Sequence, residues 1–417
     1  MIYFSFLNNI LWILVIILIF FLSIYLTLKF RGIQFRLFKM IRLLFNNNNS
    51  NEINSFKTLM LTLAGKIGVG SISGVALAIY FAGPGTIFWI WIISLLAIPI
   101  VYAETYLGIK YRDGYNGGPA YYIKNGINNY RLGGIYSLII IVSYVIGFCS
   151  IQSNTITKSF TSIISVNPII IGSFLSVITS FIIFGGIKKV VETTSKIVPI
   201  MTVLYILLGL IVIINNVDII PSIFKVIIDS AFNYKSFGVS FLTILLIGIQ
   251  RGIFSNEAGI GTGSIAASIN HDGDIISNSY IQMLGVYITS FLICTITGII
   301  VIISNYGILN INDPNGIEIA LFSFNYHFGN IGNILLIILI ILFAFSTILS
   351  AYYYGEVSLK YFGNNNTLII KFLLLIIIII GSIVSSNIIW LFIDLNISIL
   401  AIINIYAIYK LRNDIKT

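Results

Sequence analysis

Leu63-Ala64-Gly65-Lys66-Ile67-Gly68-Val69-Gly70-Ser71 and, much later, Gln250-Arg251-Gly252-Ile253-Phe254-Ser255-Asn256-Glu257-Ala258-Gly259 set charge and repeated glycine inside stretches otherwise apolar enough for mid-bilayer. Hydrocarbon offers no partner to bare N–H and C=O groups, and each one left unpaired costs several kcal/mol. A helix interrupted at that depth survives only where something polar meets its freed backbone. Glycine permits the interruption because it tolerates positive φ and lets a ligand approach the main chain. Freed N–H groups and half-helix N-termini suit a carboxylate, whereas freed carbonyls suit a cation such as Na⁺. A blander use of glycine also exists: Gly70 and Gly74 form a GxxxG pair that lets two membrane helices pack closely.

The surrounding sequence agrees with a membrane setting. Of 417 residues, 58% are hydrophobic and only 9% are charged, and the mean hydropathy is +1.02. A soluble domain carries about 25% charged residues, so a soluble enzyme, a nucleic-acid binder and a disordered scaffold are all poor readings. Eleven apolar runs qualify as candidate spans, near 10–28, 58–82, 86–108, 133–156, 168–186, 197–215, 238–265, 278–303, 332–359, 368–386 and 388–409. The first lacks a basic n-region and a small-residue cleavage site, so it does not read as a secretory signal peptide. With that extra helix and the basic loop to residue 57 set aside, the rest divides into two sets of five helices, 58–215 and 238–409. An external connection (216–237) joins them, and a cytoplasmic tail (410–417) follows. Each set opens with a glycine-interrupted segment, and an odd number of spans per set makes the halves enter from opposite sides. That is the pattern of inverted-repeat transporters.

Charge supplies the orientation. If residues 29–57 face the cytoplasm, most of the 23 basic residues fall on the inside, with Lys158, Lys225 and Lys235 outside and Lys66 and Arg251 within spans. The positive-inside rule then sets the N-terminus outside and the C-terminus inside. The net charge of +9 is thereby a topology signal facing anionic lipid and needs no nucleic acid. Residues 304–331, with Asp313, Glu318, His327 and no Lys or Arg, fit an external loop with room for a short helix, and Asn46 to Asn49 read as a spacer. Cys149 and Cys294, far apart in apolar runs, define no disulfide framework or metal site. Gly261-Thr262-Gly263-Ser264-Ile265-Ala266 matches GxGxxA without a βαβ context, His271 and His327 read as solvated loop residues, and HExxH and GxSxG are absent. The chain does not read as an enzyme.

The two interrupted segments belong to a longer series of matches. Leu63 to Ala76, Gly83-Pro84-Gly85-Thr86-Ile87-Phe88-Trp89-Ile90-Trp91, Tyr102-Ala103-Glu104 and Gly117-Gly118-Pro119-Ala120-Tyr121-Tyr122 resemble the alanine or glycine:cation symporter family. Gln152-Ser153-Asn154, Arg251 to Gly259, Phe343 to Leu349, Tyr354-Gly355-Glu356 and the Trp390-to-Asp394 segment continue it in family order. The resemblance implies an all-α integral membrane protein of LeuT-type fold, a five-plus-five inverted repeat with core helices 1 and 6 broken. It also implies entry of Na⁺, sometimes H⁺, coupled to uptake of a small neutral amino acid such as alanine or glycine. Backbone around Gly68, Gly70 and Ser71 would receive the substrate carboxylate, and Gln152 would offer its amide. Phe254 would wall the pocket at the second break, and Thr347 would contribute from core helix 8. The carbonyls of Gly65 and Ile67 with the hydroxyls of Ser346 and Thr347 would hold sodium. Apart from Na⁺, the amino acid and the lipid bilayer of the cell membrane, no organic cofactor, nucleic acid or obligate protein partner is called for. A different substrate, H⁺ coupling or a non-transporting receptor on the same scaffold are the competing readings, and an intramembrane enzyme is a further one.

Two departures stand out. Family members usually carry Asn in place of Ser71 and Gly-Trp in place of Ser350-Ala351. Replacing a pocket-limiting indole by the methyl of Ala351 implies a larger substrate pocket, unless Tyr352 or Tyr353 refills it. The remaining polar groups read as gating or structural charge. Arg251 and Glu257, six residues apart across the second break, suit gating or ion pairs to neighbouring helices. Glu104 suits a partner at Arg112 or Lys110, and Glu356 suits the inner surface. Lys66 suits snorkelling or an acid partner, and Asp394 has no evident role.

Overall fold

Backbone in lipid must satisfy itself, and the chain answers with helices. The computed structural model describes residues 2–46, 53–232, 240–270, 274–304 and 315–417. His271 and Asp313 lie outside the described residues. Among the described residues the regular structure is helical, apart from one isolated bridge between Asp113 and Asn116.

Helix α1 (Ile2–Lys29) ends at Gly32, whose φ of +67° takes the left-handed turn, and the amphipathic α2 (Leu37–Asn46) follows. Then come α3 (Ser55–Lys66) and α4 (Ser73–Ala82), bent by 62° at the join. Helices α5 (Gly85–Lys110) and α6 (Pro119–Gly126) lead to α7 (Tyr130–Ile140), which passes through π-helical turns at Ile141–Phe148 into α8 (Cys149–Thr161). Helices α9 (Pro168–Ile183), α10 (Gly186–Asn215) and α11 (Ile220–Phe232) follow. Next are α12 (Phe241–Asn256), the short α13 (Thr262–Ala267), and α14 (Ile275–Val286) running through π-helical turns into α15 (Thr295–Ile303). Last come α16 (Gly316–Phe328), α17 (Asn330–Lys360), α18 (Leu368–Gly381) and α19 (Ser386–Lys410).

Seven helical runs are long and apolar enough to cross a bilayer alone, and the bent α3/α4 pair qualifies as one broken span. Helices α9, α12 and α18 are apolar but have only 16, 16 and 14 residues. At about 1.5 Å per residue they fall short of a core about 30 Å thick. Eleven independent spans, as the hydropathy suggested, is therefore more than length alone supports. The run expected as one span over 238–265 is divided, with α12 and α13 separated by five non-helical residues, 257–261.

Packing separates outer helices from an inner set. The apolar windows of α1 and α10 are each 33% buried, against 72% for α17. Helix α1 lies against α5 and α19, while α5 also touches α12, α13 and α14, and α17 runs beside α3, α8 and α10. The two broken helices thus sit between α5 on one side and α17 on the other.

Candidate substrate and cation site at the helix breaks

At the first break the helical ladder stops with Ile67 N–H on Leu63 O (2.7 Å), and Ile67 turns out of the helix at φ −89°, ψ 72°. A short 3₁₀ turn, Val69–Ser71, bridges to α4. Within it the Val69 N–H leaves the chain's own ladder and donates to Gln152 Oε1 at 3.3 Å. Gly68 faces α17 and α8: a Cβ there would stand 2.6 Å from Thr347 Oγ1 and 3.1 Å from Gln152 Nε2. Gly70 faces α12: a Cβ would stand 2.4 Å from the Phe254 ring. Gln152, Thr347 and Phe254 therefore meet around Gly68 and Gly70.

Phe254 is held by stacking. Its ring lies 5.0 Å from Phe148 and 4.9 Å from Trp390, and Phe148 stacks on Tyr144 at 4.4 Å. The column Tyr144–Phe148–Phe254–Trp390 walls one side of the break. Sequence reading named only Phe254 of these as a site residue. An aromatic spacing within the π-turn region, Tyr144 to Phe148, was the available signal.

Ser71 turns elsewhere. Its hydroxyl pairs with Ser255 Oγ at 2.7 Å and reaches Lys66 O at 3.3 Å, while its carbonyl accepts from Thr297 Oγ1 at 2.9 Å. Ser255 continues to Cys294 Sγ at 3.1 Å. These bonds tie the first break to α12 and to the α14–α15 span.

On the α17 side, Thr347 Oγ1 lies 2.9 Å from both Ala64 O and Phe343 O, and Ser346 Oγ donates to Phe343 O at 2.9 Å. The Thr347 hydroxyl thus links the Ala64 carbonyl of α3 to α17, and oxygens of this kind are hard donors suited to Na⁺. The carbonyl facing Thr347 is that of Ala64, whereas Gly65 rests its Cα against Tyr354 and Ser350, where a Cβ would stand 2.8 Å and 3.1 Å from their hydroxyl oxygens. Ala351 is fully buried in α17. Neither neighbouring tyrosine turns to the break: Tyr352 donates to Glu356, and Tyr353 donates to Ile265 O at 3.3 Å. The hydroxyl that arrives there belongs to Tyr354.

The second break begins later than the charge pattern indicated. Gln250, Arg251 and Phe254 remain helical, and the chain leaves the helix at Glu257 (φ +53°), with Gly259 and Gly261 at φ +86° and +102°. The glycines upstream serve packing: a Cβ on Gly248 would stand 2.8 Å from Thr86 O, and one on Gly252 would stand 2.6 Å from Ile93, both on α5. Backbone freed at this break is already satisfied within the protein. Tyr136 donates to Ile260 O (2.6 Å), Asn404 Nδ2 to Gly259 O (2.8 Å), and Ala258 N–H to Asn256 Oδ1 (2.9 Å).

Among the charged groups, Glu104 finds a partner other than the Lys110 or Arg112 expected for it. Arg251 pairs with Asp394 at 3.0 Å, its guanidinium 4.7 Å from the Trp390 ring, and not with Glu257. Glu257 accepts from Tyr144 (2.8 Å) and Thr262 (2.6 Å). Glu104 is fully buried and accepts from Asn404 at 3.1 Å. It meets neither Lys110, which pairs with Asp414 at 3.2 Å, nor Arg112, which donates to the carbonyls of Ser268 and Asn270. Glu356 pairs with Lys360 at 2.6 Å. Lys66 does not snorkel: it is buried, its Nζ has no hydrogen-bond partner among the described residues, and Glu104 and Glu257 are the carboxylates whose charge acts on it. Its ammonium points toward Gly263 and Gly285, whose added Cβ atoms would lie 3.7 Å and 3.4 Å away. His327 is half-buried in α16 with a ring nitrogen 3.0 Å from Ile300 O, so it is not a solvated loop residue.

The sequence model of the "Sodium:alanine symporter family" matches residues 2–417. The "Amino-acid carrier protein AlsT" of Bacillus subtilis is 34% identical over 401 residues, covering 94% of this chain and 85% of that protein. The "Probable sodium/glutamine symporter GlnT" of the same organism is 32% identical, with 98% and 88% covered. The "Sodium/alanine symporter AgcS" of Methanococcus maripaludis is 34% identical over 328 residues, with 76% and 72% covered. Among solved structures, MhsT in complex with L-phenylalanine superposes with a TM-score of 0.62 at 14% identity, covering 84% of this chain and 87% of that one. At that identity the likeness concerns the fold alone, which is LeuT-type.

Proposed function

Because the chain belongs to the sodium:alanine symporter family, a family of amino-acid transporters and not of enzymes, we propose that it imports alanine, glycine or a somewhat larger neutral amino acid together with Na⁺. One observation carries this reading: a break in mid-chain helix at Gly68–Gly70, enclosed by Gln152, Thr347 and Phe254. The substrate carboxylate is received at the Gly68–Gly70 backbone, in place of contacts that Gln152, Thr347 and Phe254 make there without it. Gln152 addresses the polar end of the substrate and Phe254 closes over its side chain. Sodium sits beside Thr347 and Ser346, with the Ala64 and Phe343 carbonyls as further donors. In this reading the Ile67 carbonyl remains a candidate ligand, and Ala64 takes the place first given to Gly65. The small Ala351 and the similarity to a protein named as a sodium/glutamine symporter support a pocket larger than alanine needs.

Alternating access moves one set of helices against the other around this site. The long helices, the broken pair and the three shorter helices make eleven crossings, with the repeats at 58–215 and 238–409, the N-terminus outside and the C-terminus inside. Arg251, Glu257, Glu104 and Glu356 act as gating or structural charge in this scheme, not as ligands.

Uptake into proteoliposomes under an imposed Na⁺ gradient, across all neutral amino acids, tests the proposal. Accumulation that follows the Na⁺ gradient is expected. Accumulation that follows only a pH gradient transfers the coupling to H⁺, and binding without flux removes the transport reading. Competition of labelled alanine by glycine alone would refute the enlarged pocket. Ser346→Ala with Thr347→Ala is expected to raise the Na⁺ concentration for half-maximal uptake, and an unchanged Na⁺ dependence removes both from the cation site.

A further inference from the structure

Helix α2 has no part in the site above, and one of its faces has no protein against it. Met40 is fully buried and anchors the inner face. The opposite face shows Phe38, Ile41 and Phe45, exposed by 90%, 39% and 70%. Spaced by three and four residues, these three form one apolar stripe along a short helix. Exposed Lys39 and Arg42 flank it, and exposed Arg31 precedes it. From Lys29 to Asn46 the chain holds Lys29, Arg31, Arg36, Lys39 and Arg42 and no acidic residue.

Its place in the chain says what covers this face. Helix α2 starts eight residues after α1 ends at Lys29, the end of a long apolar helix. A helix tied so closely to the end of a span lies at the membrane boundary. A basic amphipathic helix with an aromatic stripe is the pattern that beds into the headgroup and acyl boundary of an anionic leaflet. We propose that α2 is an interfacial helix that sinks Phe38, Ile41 and Phe45 into the bilayer surface and gathers anionic phospholipid with Arg31, Lys39 and Arg42.

The turn that leads into α2, and Lys39 on α2 itself, are clasped to the transport core. Arg36 donates to the Tyr280 hydroxyl at 3.0 Å, Lys39 lies 3.9 Å from the centre of the Tyr280 ring, and the Tyr287 hydroxyl donates to Gln34 O. Both tyrosines belong to the α14–α15 span, whose Thr297 holds the Ser71 carbonyl. Lipid held on α2 therefore bears on a helix that reaches the first break.

Phe38→Cys in the full chain, labelled with an environment-sensitive fluorophore, tests the assignment independently of transport, because native Cys149 and Cys294 are buried. The labelled protein is placed in phosphatidylcholine vesicles with a minor fraction of phosphatidylglycerol. Quenching by lipid-borne nitroxide and protection from aqueous iodide are expected. At equal content, nitroxide on phosphatidylglycerol should quench more than nitroxide on phosphatidylcholine. Each basic residue contributes about a fivefold preference, so Lys39→Gln with Arg42→Gln should bring the two lipids close to equality. Phe45→Cys repeats the measurement on the same stripe. Quenching by iodide overturns the proposal, as does protection from both quenchers, which marks a protein contact, or equal quenching by the two lipids in the unaltered helix.

Discussion

Gly70→Ala tests the first break most sharply, because its effect can be worked from distances. The added Cβ would lie 2.4 Å and 2.6 Å from two carbons of the Phe254 ring, against an ordinary contact of 3.4–4 Å. One of the two must move by about an ångström. The ring cannot move freely, since Phe148 and Trp390 lie against it at 5.0 Å and 4.9 Å. The backbone cannot move without breaking the bonds at Ser71 and Val69. Overpacking a filled interior costs typically 1–3 kcal/mol, and a ring boxed in this way belongs at the upper end, about 3 kcal/mol. That corresponds to about a hundredfold loss in the population of the competent site. Gly74→Ala supplies the control one turn later, where the new Cβ would meet Trp390 at 3.5 Å, an ordinary contact. Sodium-driven alanine uptake in proteoliposomes, normalised to folded protein, should fall steeply for Gly70→Ala and little for Gly74→Ala. Phe254→Leu in the Gly70→Ala background should recover folded protein. Equal activity of the two alanine variants would refute the packing described here.

Asp394→Asn leaves Arg251 without its counter-ion in a part of the molecule where their side chains are 8% and 12% exposed. Breaking a buried pair from one side costs about 3–5 kcal/mol, and stacking on Trp390 offsets only part of it, so a clear drop in the thermal midpoint in detergent is expected. Lys66→Met removes the cation acting on Glu104 and Glu257. It should destabilise the fold in the same assay, and Glu104→Gln added to it should recover part of the loss. His327, outside the spans, is held below its usual value of 6.5 because burial disfavours the imidazolium. The unfolded chain therefore binds the proton first as pH falls. Stability conferred by neutral His327 is complete above about pH 6.5 and declines as pH falls from there through the lower folded value. Melting curves against pH should show this slope, and His327→Gln should flatten it.

Much of the first break was legible because two signals coincide at it: Gly65, Gly68 and Gly70 at close spacing, and a charge, Lys66, at bilayer depth. The second break was placed several residues early for an instructive reason. Gly252 lies inside the interrupted stretch, yet it lets α12 approach α5 while staying helical. Arg251 suits an ion pair to a neighbouring helix, and Asp394, on the last helix, supplies it. A sequence shows that a buried charge needs a counterpart but not which helix brings it. Glu104 makes the same point, since the nearby Arg112 and Lys110 were the natural candidates and Asn404 is the partner found. The exchange of Gly65 for Ala64 has a different origin. Every residue carries a carbonyl, so only the turn of the backbone decides which one faces Thr347.

The two breaks differ in which helices hold their backbone. At 257–261 the carbonyls of Gly259 and Ile260 are occupied by Asn404 and Tyr136, side chains from α19 and α7. That joint is held from outside its own helix by two side chains. At the other joint the Val69 N–H donates to Gln152 of α8, and the Ser71 carbonyl accepts from Thr297 of α15. The first joint is thus anchored to α8 and α15 and the second to α7 and α19, so a shift at either break would carry a different pair of helices with it.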